Sequence, residues 1–359
     1  MEFLSEYGMF VAKSMTIVIA IVLIISMVSA SGGRGKRFMK KGTVRVSKLN
    51  EHFEELRDSL REVVLDKDSL KSLQSNERKQ AKAERKELKA ARKKQFNEGS
   101  GGAAVARTRK RVYVINFKGN IAADAVACLR EEISAILSLA TPEDEVLVRL
   151  ESPGGMVHAY GLASSQLARL KHAGTTLTIC VDKVAASGGY MMACLADRLI
   201  AAPFAIIGSI GVLVQLPNFH RVLKKHEVDY EIISAGEYKR TLTTFGEITK
   251  KGKDKVREDV ETIHGIFKSW VKEHRPNVDI DNIATGETWL GSQAIERSMV
   301  DEIRTSDECI LAACETSDVF EVEYEFPKSI QEKLGSVFGN ALEKAFSQIV
   351  NQPYNDRFQ

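Results

Sequence analysis

The stretch TLTICVDKVAASGGYMMACLAD spans residues 176–197 and places one serine, Ser187, between two alanines and two glycines. The β-branched apolar run before it predicts a buried strand, and the apolar run after it predicts a helix. In α/β domains, sites are built where a strand ends and a helix begins. The stretch therefore predicts an α/β domain with a candidate site at Ser187.

Similar patterns flank this stretch on both sides. Short β-rich runs cover residues 112–117, 145–151, 176–182, 198–203 and 211–215. Helical patterns cover residues 122–140, 156–174 and 252–274, with a further short helix expected within 285–303. Near-continuous apolar strands that alternate with helices favour a largely parallel, buried sheet. We assign this α/β domain to residues 107–305.

The composition is that of a globular protein with additional segments. The 359 residues are 44% hydrophobic and 28% charged, which provides a core to bury, and the net charge of +3 indicates no class of partner. The cysteines are five in number and form no CxxC pair: Cys128, Cys180, Cys194, Cys309 and Cys314. Most lie in apolar runs, which predicts buried free thiols rather than disulfides or a zinc site.

The first segment predicts a membrane anchor. Residues 9–30 carry a single charge, Lys13, near one end, and a bilayer crossing needs about 20 apolar residues. The alternatives are a signal peptide, since VSA at 28–30 resembles a cleavage site, and a buried core helix. The leader carries Glu2 and Glu6 rather than basic residues, which argues against a signal peptide. We predict a transmembrane anchor at residues 1–31.

A charged segment separates this anchor from the α/β domain. Residues 47–97 are almost wholly charged or helix-favouring, and residues 98–106 read EGSGGAAVA, a flexible joint. We predict a charged helical connector with its joint at residues 32–106. Its basic residues could contact anionic lipid or nucleic acid, but a solvated spacer explains them as well, and we expect no nucleic-acid partner.

The last segment, residues 306–359, is predicted to be a C-terminal extension. Its sequence alternates at 319–326 and then continues as an amphipathic helix. The apolar face of that helix contains Ile330, Leu334, Val337, Phe338, Leu342, Phe346 and Ile349. Packing on the domain or on a neighbouring subunit is the expected role, with lying on a membrane as the alternative.

Ser187 admits two interpretations. It could cap a helix, or it could be a nucleophile whose following glycine directs an N–H at a developing oxyanion. A second glycine turn, SPGG at 152–155, also follows a buried strand and opens a helix. Two such turns in one sheet can face each other across a cleft, although SPGG could also be a plain turn.

A serine nucleophile needs a base. Four of the histidines lie on predicted helices or in polar stretches, and none lies in the strand-to-loop context of a triad: His158, His172, His220 and His226. The alternative is a lysine kept neutral by burial, and the loop SAGEYKRTLTTFGE at 234–247 offers Lys239. Residue chemistry alone does not single out Lys239 among the lysines.

The series SPGG, AASGGYMMACLAD, IIGSIGV at 206–212 and GEYKR closely resembles the signal peptide peptidase A family of membrane serine–lysine peptidases. The separation of Ser187 from Lys239 matches that family. The loop GEYKRTLTTFGE, with the membrane span and charged N-terminal region, most resembles the SohB-type branch. The resemblance covers residues 110–304 and, more loosely, the N-terminal part.

This resemblance implies a ClpP/crotonase-like fold and peptide-bond hydrolysis through an acyl-enzyme. Ser187 would be the nucleophile and Lys239 the general base. The N–H of Gly188, with that of Gly154 or Gly155, would form the oxyanion hole, and Ser209 would hold the lysine in place. No metal, nucleotide or other cofactor is implied. The expected partners are peptides or unfolded proteins, the membrane, and further copies of the chain in a ring.

The expected location is the bacterial inner membrane. The segment after the span, GGRGKRFMKKGTVRVSK at 32–48, is strongly basic, so the positive-inside rule favours a cytoplasmic catalytic domain. Similarity to the best-known family members, which act outside that membrane on remnant signal peptides, favours the periplasmic side.

Three other functions are compatible with parts of the pattern. A crotonase-type acyl-CoA enzyme would explain the glycine turns but not Lys239. A catalytically silent membrane scaffold would use the connector to recruit partners. A Ser-His-Asp peptidase would depend on a histidine and tolerate Lys239→Ala.

Overall fold

The computed structural model describes residues 42–73 and 109–326, with isolated positions at 13, 15, 16, 75, 76, 79, 82, 83 and 86. The chain divides into two compact units, Val44–Tyr324 on one hand and Met1–Thr43 with Glu325–Gln359 on the other. The candidate site lies in the Val44–Tyr324 unit.

Two predicted segments lie outside the described residues. They are the amphipathic C-terminal helix and, apart from three isolated positions, the membrane anchor. Among the helices that the structure describes, none has both the length and the apolar character needed to cross a bilayer.

The Val44–Tyr324 unit is built on two sheets. In chain order the strands are β1 (Thr43–Lys48), β2 (Arg111–Lys118), β3 (Glu145–Glu151), β4 (Thr176–Val181), β5 (Val184–Ala186), β6 (Arg198–Ala201), β7 (Ile206–Gly208), β8 (Thr288–Leu290), β9 (Glu302–Ile303) and β10 (Asp318–Glu325). The larger sheet has seven strands in the order β1-β10-β2-β3-β4-β6-β9, and the smaller has the order β5-β7-β8. Every pair from β10 to β9 in the larger sheet is parallel, as the sequence predicted.

Helices connect and cover these strands. They are α1 (Leu49–Val64), α2 (Val126–Leu137), α3 (Val157–His172), α4 (Gly188–Ala193), α5 (His220–Lys225), α6 (Lys250–His274), α7 (Ile280–Ile283), α8 (Gly291–Ala294) and α9 (Ser306–Thr316). Residues 67–73 are also helical, as expected for the charged connector.

Both faces of the larger sheet are buried, which is why its strands read as continuous apolar runs. Along β2, Tyr113 and Ile115 belong to the main core with α2, α3 and α4. Val112 and Val114 face the other way, into a smaller cluster with Cys309 of α9. Burying one such side chain contributes roughly 1.5–3 kcal/mol, so this alternation fixes the register of the strand.

Asn50 attaches α1 to this smaller cluster. Its Nδ2 donates to the carbonyl oxygens of Cys314 (3.0 Å) and Ser317 (2.9 Å), and its Oδ1 accepts from the N–H of Val319 (2.8 Å). Asn50 is buried, and these bonds compensate for its desolvation. The first turn of α1 is thereby fixed against α9 and the start of β10.

The smaller sheet positions the Ser187 turn. β5 pairs in parallel with β7, and β7 pairs antiparallel with β8. A bridge between Ser152 and Ala185 joins the end of β3 to β5. The two glycine turns that the sequence singled out therefore follow neighbouring strands.

Two features differ from the sequence predictions or add to them. The strand predicted at 211–215 is wrong: these residues are irregular and mostly exposed, without a neighbouring strand to bury them. The larger sheet also includes β1 and β10, which come from the predicted connector and C-terminal extension.

The cysteines are free; Cys180, Cys194 and Cys309 are buried, while Cys128 and Cys314 are half-buried.

Candidate active site

The turn between β3 and α3 contains the SPGG sequence. Ser152 is buried, its N–H donates to the Val184 carbonyl (2.8 Å), and its carbonyl accepts from the Ala186 N–H (3.0 Å). Gly154 has φ +89°, a left-handed conformation that favours glycine. A Cβ on Gly154 would lie 2.7 Å from Ser187 Cβ and 2.7 Å from the Ala186 carbonyl oxygen. The SPGG turn thus lies directly against the Ser187 turn.

Ser187 occupies a strained backbone position between β5 and α4. Its φ and ψ are 51° and −118°, values that cost a non-glycine residue of order 1–3 kcal/mol and persist only where neighbours impose them. The Ser187 N–H donates to the Gly208 carbonyl (2.8 Å), and its own carbonyl accepts from Met191 (3.0 Å). Its side chain makes no capping hydrogen bond, and the residue is half-buried. The alternative interpretation of Ser187 as a helix cap is therefore not supported by the geometry.

The backbone amides near Ser187 differ in their availability. The Gly154 N–H donates to Ser152 Oγ at 3.1 Å. The N–H groups of Gly155 and Gly188 have no hydrogen-bond partner among the described residues. Gly188 is held closely, because a Cβ there would lie 2.4 Å from Tyr160 Cγ. Gly155 is bounded by Ile121, whose carbonyl oxygen would lie 2.1 Å from an added Cβ.

Ser209 follows β7, next to the residue that binds Ser187. It is half-buried with φ +53°, and its N–H donates to the Glu287 carbonyl (2.6 Å). The preceding Gly208 accepts the Ser187 N–H, so one short strand connects the two serine turns. The structure therefore brings Ser187, Gly188, Gly154, Gly155 and Ser209 into one region.

Lys239 lies in a turn in which its N–H donates to the Gly236 carbonyl (3.2 Å). Residues 231–240 are exposed throughout. Within the described part of the chain, no hydrogen bond or ion pair joins Lys239 to Ser187 or Ser209. In the single chain, Lys239 is thus an exposed side chain without a hydrogen bond to the proposed nucleophile.

Among the described residues, no histidine or carboxylate side chain forms a hydrogen bond with Ser187. Two histidine side chains hydrogen-bond to backbone carbonyls, His264 to Ile210 and His274 to Trp270. Near the SPGG turn, a hydrogen bond from Lys183 (3.0 Å) lowers the pKa of Glu151. That carboxylate is ionised and paired, which makes it a weak base.

Sequence reasoning did not single out Tyr160, a buried residue beneath the turns. Tyr160 is fully buried, and its hydroxyl lies 2.5 Å from Ser152 Oγ and donates to the Asn120 carbonyl (2.8 Å). Burial raises the pKa of Tyr160, so the phenol is neutral. The signal in the sequence was spacing. Tyr160 follows Ser152 by eight residues and lies in the first turn of α3, the helix that begins after the SPGG turn.

Comparisons with known proteins identify the family of this chain. Residues 2–167 match the family described as Peptidase family S49 N-terminal, and residues 169–319 match Peptidase family S49. A probable protease SohB of Haemophilus influenzae is 45% identical over 353 residues, which cover 98% of this chain and 96% of the relative. A probable protease SohB of Buchnera aphidicola (subspecies Acyrthosiphon pisum) is 48% identical over 67% of this chain and 72% of the relative.

A more distant relative extends the comparison. Protease 4 of Haemophilus influenzae is 29% identical over 208 residues, which cover 56% of this chain and 34% of the relative. The mixed α/β architecture, with its large parallel sheet, fits a ClpP-like peptidase core. The chain belongs to peptidase family S49, in its SohB-type branch.

Proposed function

We propose that this peptidase is of the serine type, with Ser187 as the nucleophile and Lys239 as the general base. The observation that carries the proposal is the contact between the two glycine turns. Ser187 has a strained, half-buried position with its side chain free of capping, and backbone amides of both turns adjoin it. This is the arrangement that covalent catalysis with an oxyanion hole requires.

The first half of the reaction forms an acyl-enzyme. Neutral Lys239 Nζ takes the proton of Ser187 Oγ as that oxygen attacks the scissile carbonyl carbon. The negative charge on the former carbonyl oxygen is stabilised by the N–H groups of Gly188 and Gly155. We prefer Gly155 to Gly154 because the Gly154 N–H already donates to Ser152. The amine leaves with the proton from Lys239, and an ester of Ser187 remains.

The second half hydrolyses that ester. Lys239 takes a proton from a water molecule, whose oxygen attacks the ester carbonyl within the same oxyanion hole. The bond to Ser187 Oγ breaks, the proton returns to Ser187, and the carboxylic acid is released. In the assembled site that we propose, Ser209 Oγ accepts a hydrogen bond from Lys239 Nζ and holds the amine in place.

A catalytic lysine base needs a desolvated amine, whereas Lys239 lies in a stretch, residues 231–240, that is exposed in the single chain. We propose that a neighbouring copy of the chain covers it within a ring. Exposed apolar side chains surround this loop in sequence, including Leu213, Val214, Ile233, Tyr238 and Phe245. An apolar surface of this kind is typical of an interaction site.

The substrates that we propose are unfolded or membrane-derived peptides, delivered to an enzyme tethered by residues 9–30. The tether places the chain in the bacterial inner membrane, and its basic flank favours a cytoplasmic active site. Protease protection of sealed spheroplasts tests the side. Degradation of the catalytic unit by protease added outside would contradict the cytoplasmic orientation and indicate the periplasmic side.

The test of the mechanism compares full-length protein with Ser187→Ala and Lys239→Ala in the hydrolysis of casein and apolar fluorogenic peptides. Each variant should lower kcat by ~1,000-fold or more, as for members of other catalytic dyads and triads. The matched control is Lys253→Ala, which removes another exposed lysine and should leave the rate unchanged. Circular dichroism establishes that all variants are folded.

Other outcomes select other functions. Full activity in Lys239→Ala would reject the lysine base and direct attention to the histidines. Binding of acyl-CoA that is indifferent to Ser187→Ala would favour the crotonase-type reaction. A folded full-length protein without any hydrolysis would favour the scaffold.

A further inference from the structure

A buried hydrogen-bond chain lies beneath the SPGG turn. It runs from the Gly154 N–H to Ser152 Oγ (3.1 Å), from Ser152 Oγ to the Tyr160 hydroxyl (2.5 Å), and on to the Asn120 carbonyl (2.8 Å). Ser152 and Tyr160 are both fully buried. The chain is thus shielded from water, which could otherwise replace any of its members.

The direction of each hydrogen bond follows from the groups involved. The Asn120 carbonyl can only accept, so the single hydroxyl proton of Tyr160 points to it. Ser152 must therefore donate its own proton to the Tyr160 oxygen. Ser152 Oγ is then left as an acceptor for the Gly154 N–H. The phenol thereby determines that Ser152 presents a lone pair to the turn.

This direction matters for the amides that adjoin Ser187. With the Gly154 N–H drawn inward to Ser152, the next amide, that of Gly155, is the one left available. The far side of the turn is held as well, because the Met156 N–H donates to the Ile121 carbonyl (2.9 Å). Tyr160 binds the adjacent carbonyl of Asn120, so one phenol links both sides of the turn.

The ring of Tyr160 contacts the second turn. Its Cγ would lie 2.4 Å, and its Cδ2 2.7 Å, from a Cβ placed on Gly188. The carbonyl oxygen of Ser152 would similarly lie 2.5 Å from a Cβ on Gly189. Tyr160 therefore supports the Gly188 amide with its ring and the Gly155 amide through its hydroxyl.

We propose that Tyr160, acting through Ser152, is a positioning residue that aligns the two oxyanion-hole amides of this peptidase. The inference rests on the proposed function, because it assigns a role within that reaction. Neither residue touches substrate; both act by fixing the backbone that does.

The test is Tyr160→Phe in the full-length protein, because phenylalanine keeps the ring against Gly188 and removes only the hydroxyl. We expect kcat to fall by ~10-fold to ~100-fold, the effect of one lost buried hydrogen bond on the transition state, with KM within ~3-fold. Ser152→Ala should behave alike. The double variant should be no slower than the slower single variant, since both changes remove one network.

The matched control is Tyr190→Phe. Tyr190 is also fully buried, and its hydroxyl donates to the Met299 carbonyl (3.0 Å), away from the SPGG turn. The Tyr190→Phe variant should lose stability as Tyr160→Phe does but keep its kcat within ~3-fold of the parent value. Equal losses of kcat in Tyr160→Phe and Tyr190→Phe would overturn the proposal, because they would indicate a general effect of packing.

A second measurement does not depend on hydrolysis. Hydrogen–deuterium exchange of overlapping fragments should report faster exchange of the Gly154 amide in Tyr160→Phe and unchanged exchange in Tyr190→Phe. Unchanged exchange in Tyr160→Phe would overturn the network, whatever the activity. Ser187→Ala, assayed in parallel, tests the proposed function separately: if it retained hydrolysis, the reaction assignment would fail while the exchange data still reported on the turn.

Discussion

Replacing Gly154 with alanine tests whether the two glycine turns are packed as described. The new Cβ would lie 2.7 Å from both Ser187 Cβ and the Ala186 carbonyl oxygen, and 2.8 Å from the Gly188 nitrogen. Two of these three atoms belong to the backbone, so the Ser187 turn itself must move. Gly161, seven residues further along, offers a matched control, because nothing lies within 4 Å of an added Cβ there.

The expected changes in the free energy of unfolding have opposite signs for Gly154→Ala and Gly161→Ala. At φ +89°, an alanine costs about 1–2 kcal/mol for the left-handed backbone, and displacing the adjoining turn brings the total to about 2–4 kcal/mol. Gly161→Ala, in the interior of α3, should stabilise by about 0.5–1 kcal/mol. For a unit of this size, Tm changes by about 2–4 °C for each kcal/mol of stability. Tm should therefore fall by about 4–16 °C in Gly154→Ala and rise by about 1–4 °C in Gly161→Ala.

The assay is differential scanning calorimetry of the full-length protein, paired with peptide hydrolysis. Gly154→Ala should also lose at least ~10-fold in kcat, since the shift moves the amides that adjoin Ser187. Gly161→Ala should keep its rate. A Tm for Gly154→Ala equal to that of the parent, with undiminished hydrolysis, would refute the contact between the two turns.

Two further predictions concern buried polar groups away from the site. Asn50→Ala leaves the Val319 N–H and the Cys314 and Ser317 carbonyls without their partner, which should cost about 2–4 kcal/mol and lower Tm. Asn50→Asp should lose at least as much, because it keeps the acceptor for Val319 but turns a carboxylate oxygen towards the two carbonyl oxygens. Equal Tm values for Asn50→Ala and the parent would contradict this attachment of α1. Burial raises the pKa of Glu132 to about 7 despite the hydrogen bond from the Tyr324 N–H (2.9 Å). Because this folded pKa exceeds the unfolded value of 4.5, the folded state holds the proton more tightly, and stability should decline as pH rises from about 4.5 through 7. Glu132→Gln should therefore have a free energy of unfolding about 1–3 kcal/mol above that of the parent at pH 8, and this gain should disappear at pH 5. Denaturant titration at the two pH values measures the difference. An equal gain at both pH values would exclude the titration of Glu132 as its cause.

The sequence was most informative where burial on two faces leaves a continuous apolar run. β2, β3 and β4 were predicted for this reason, and so was the order in which helices follow them. It was least informative for strands of three residues, such as β5 and β7, whose pairing depends on partners that are distant along the chain. The error at 211–215 has a related cause, because an apolar run forms a strand only where a neighbour accepts its hydrogen bonds.

The candidate site shows the same division. Gly154, Ser187 and Gly188 were accessible from local pattern, since glycine turns at strand ends mark close backbone approach. Lys239 was assigned from a family resemblance rather than from residue chemistry. Its side chain is exposed in the single chain, as lysines commonly are, so the local sequence does not distinguish it from the other lysines. Tyr160 was missed because its role depends on a hydroxyl direction that only the Asn120 carbonyl determines.

The position of β1 changes what the charged connector can do. β1 lies within the first part of the predicted connector (residues 32–106) and belongs to the main sheet, while β2, which follows the connector, belongs to that same sheet. The part of the connector after β1, residues 49–106, therefore starts and ends at the catalytic unit and adds nothing to the length of the link to the anchor. If residues 9–30 cross the membrane as proposed, the link to β1 is residues 31–42 alone, which reach at most about 40 Å when fully extended. Lengthening or shortening residues 49–106 would then leave the maximum reach of this link unchanged, whereas each residue inserted before Thr43 would extend it by about 3.3–3.6 Å.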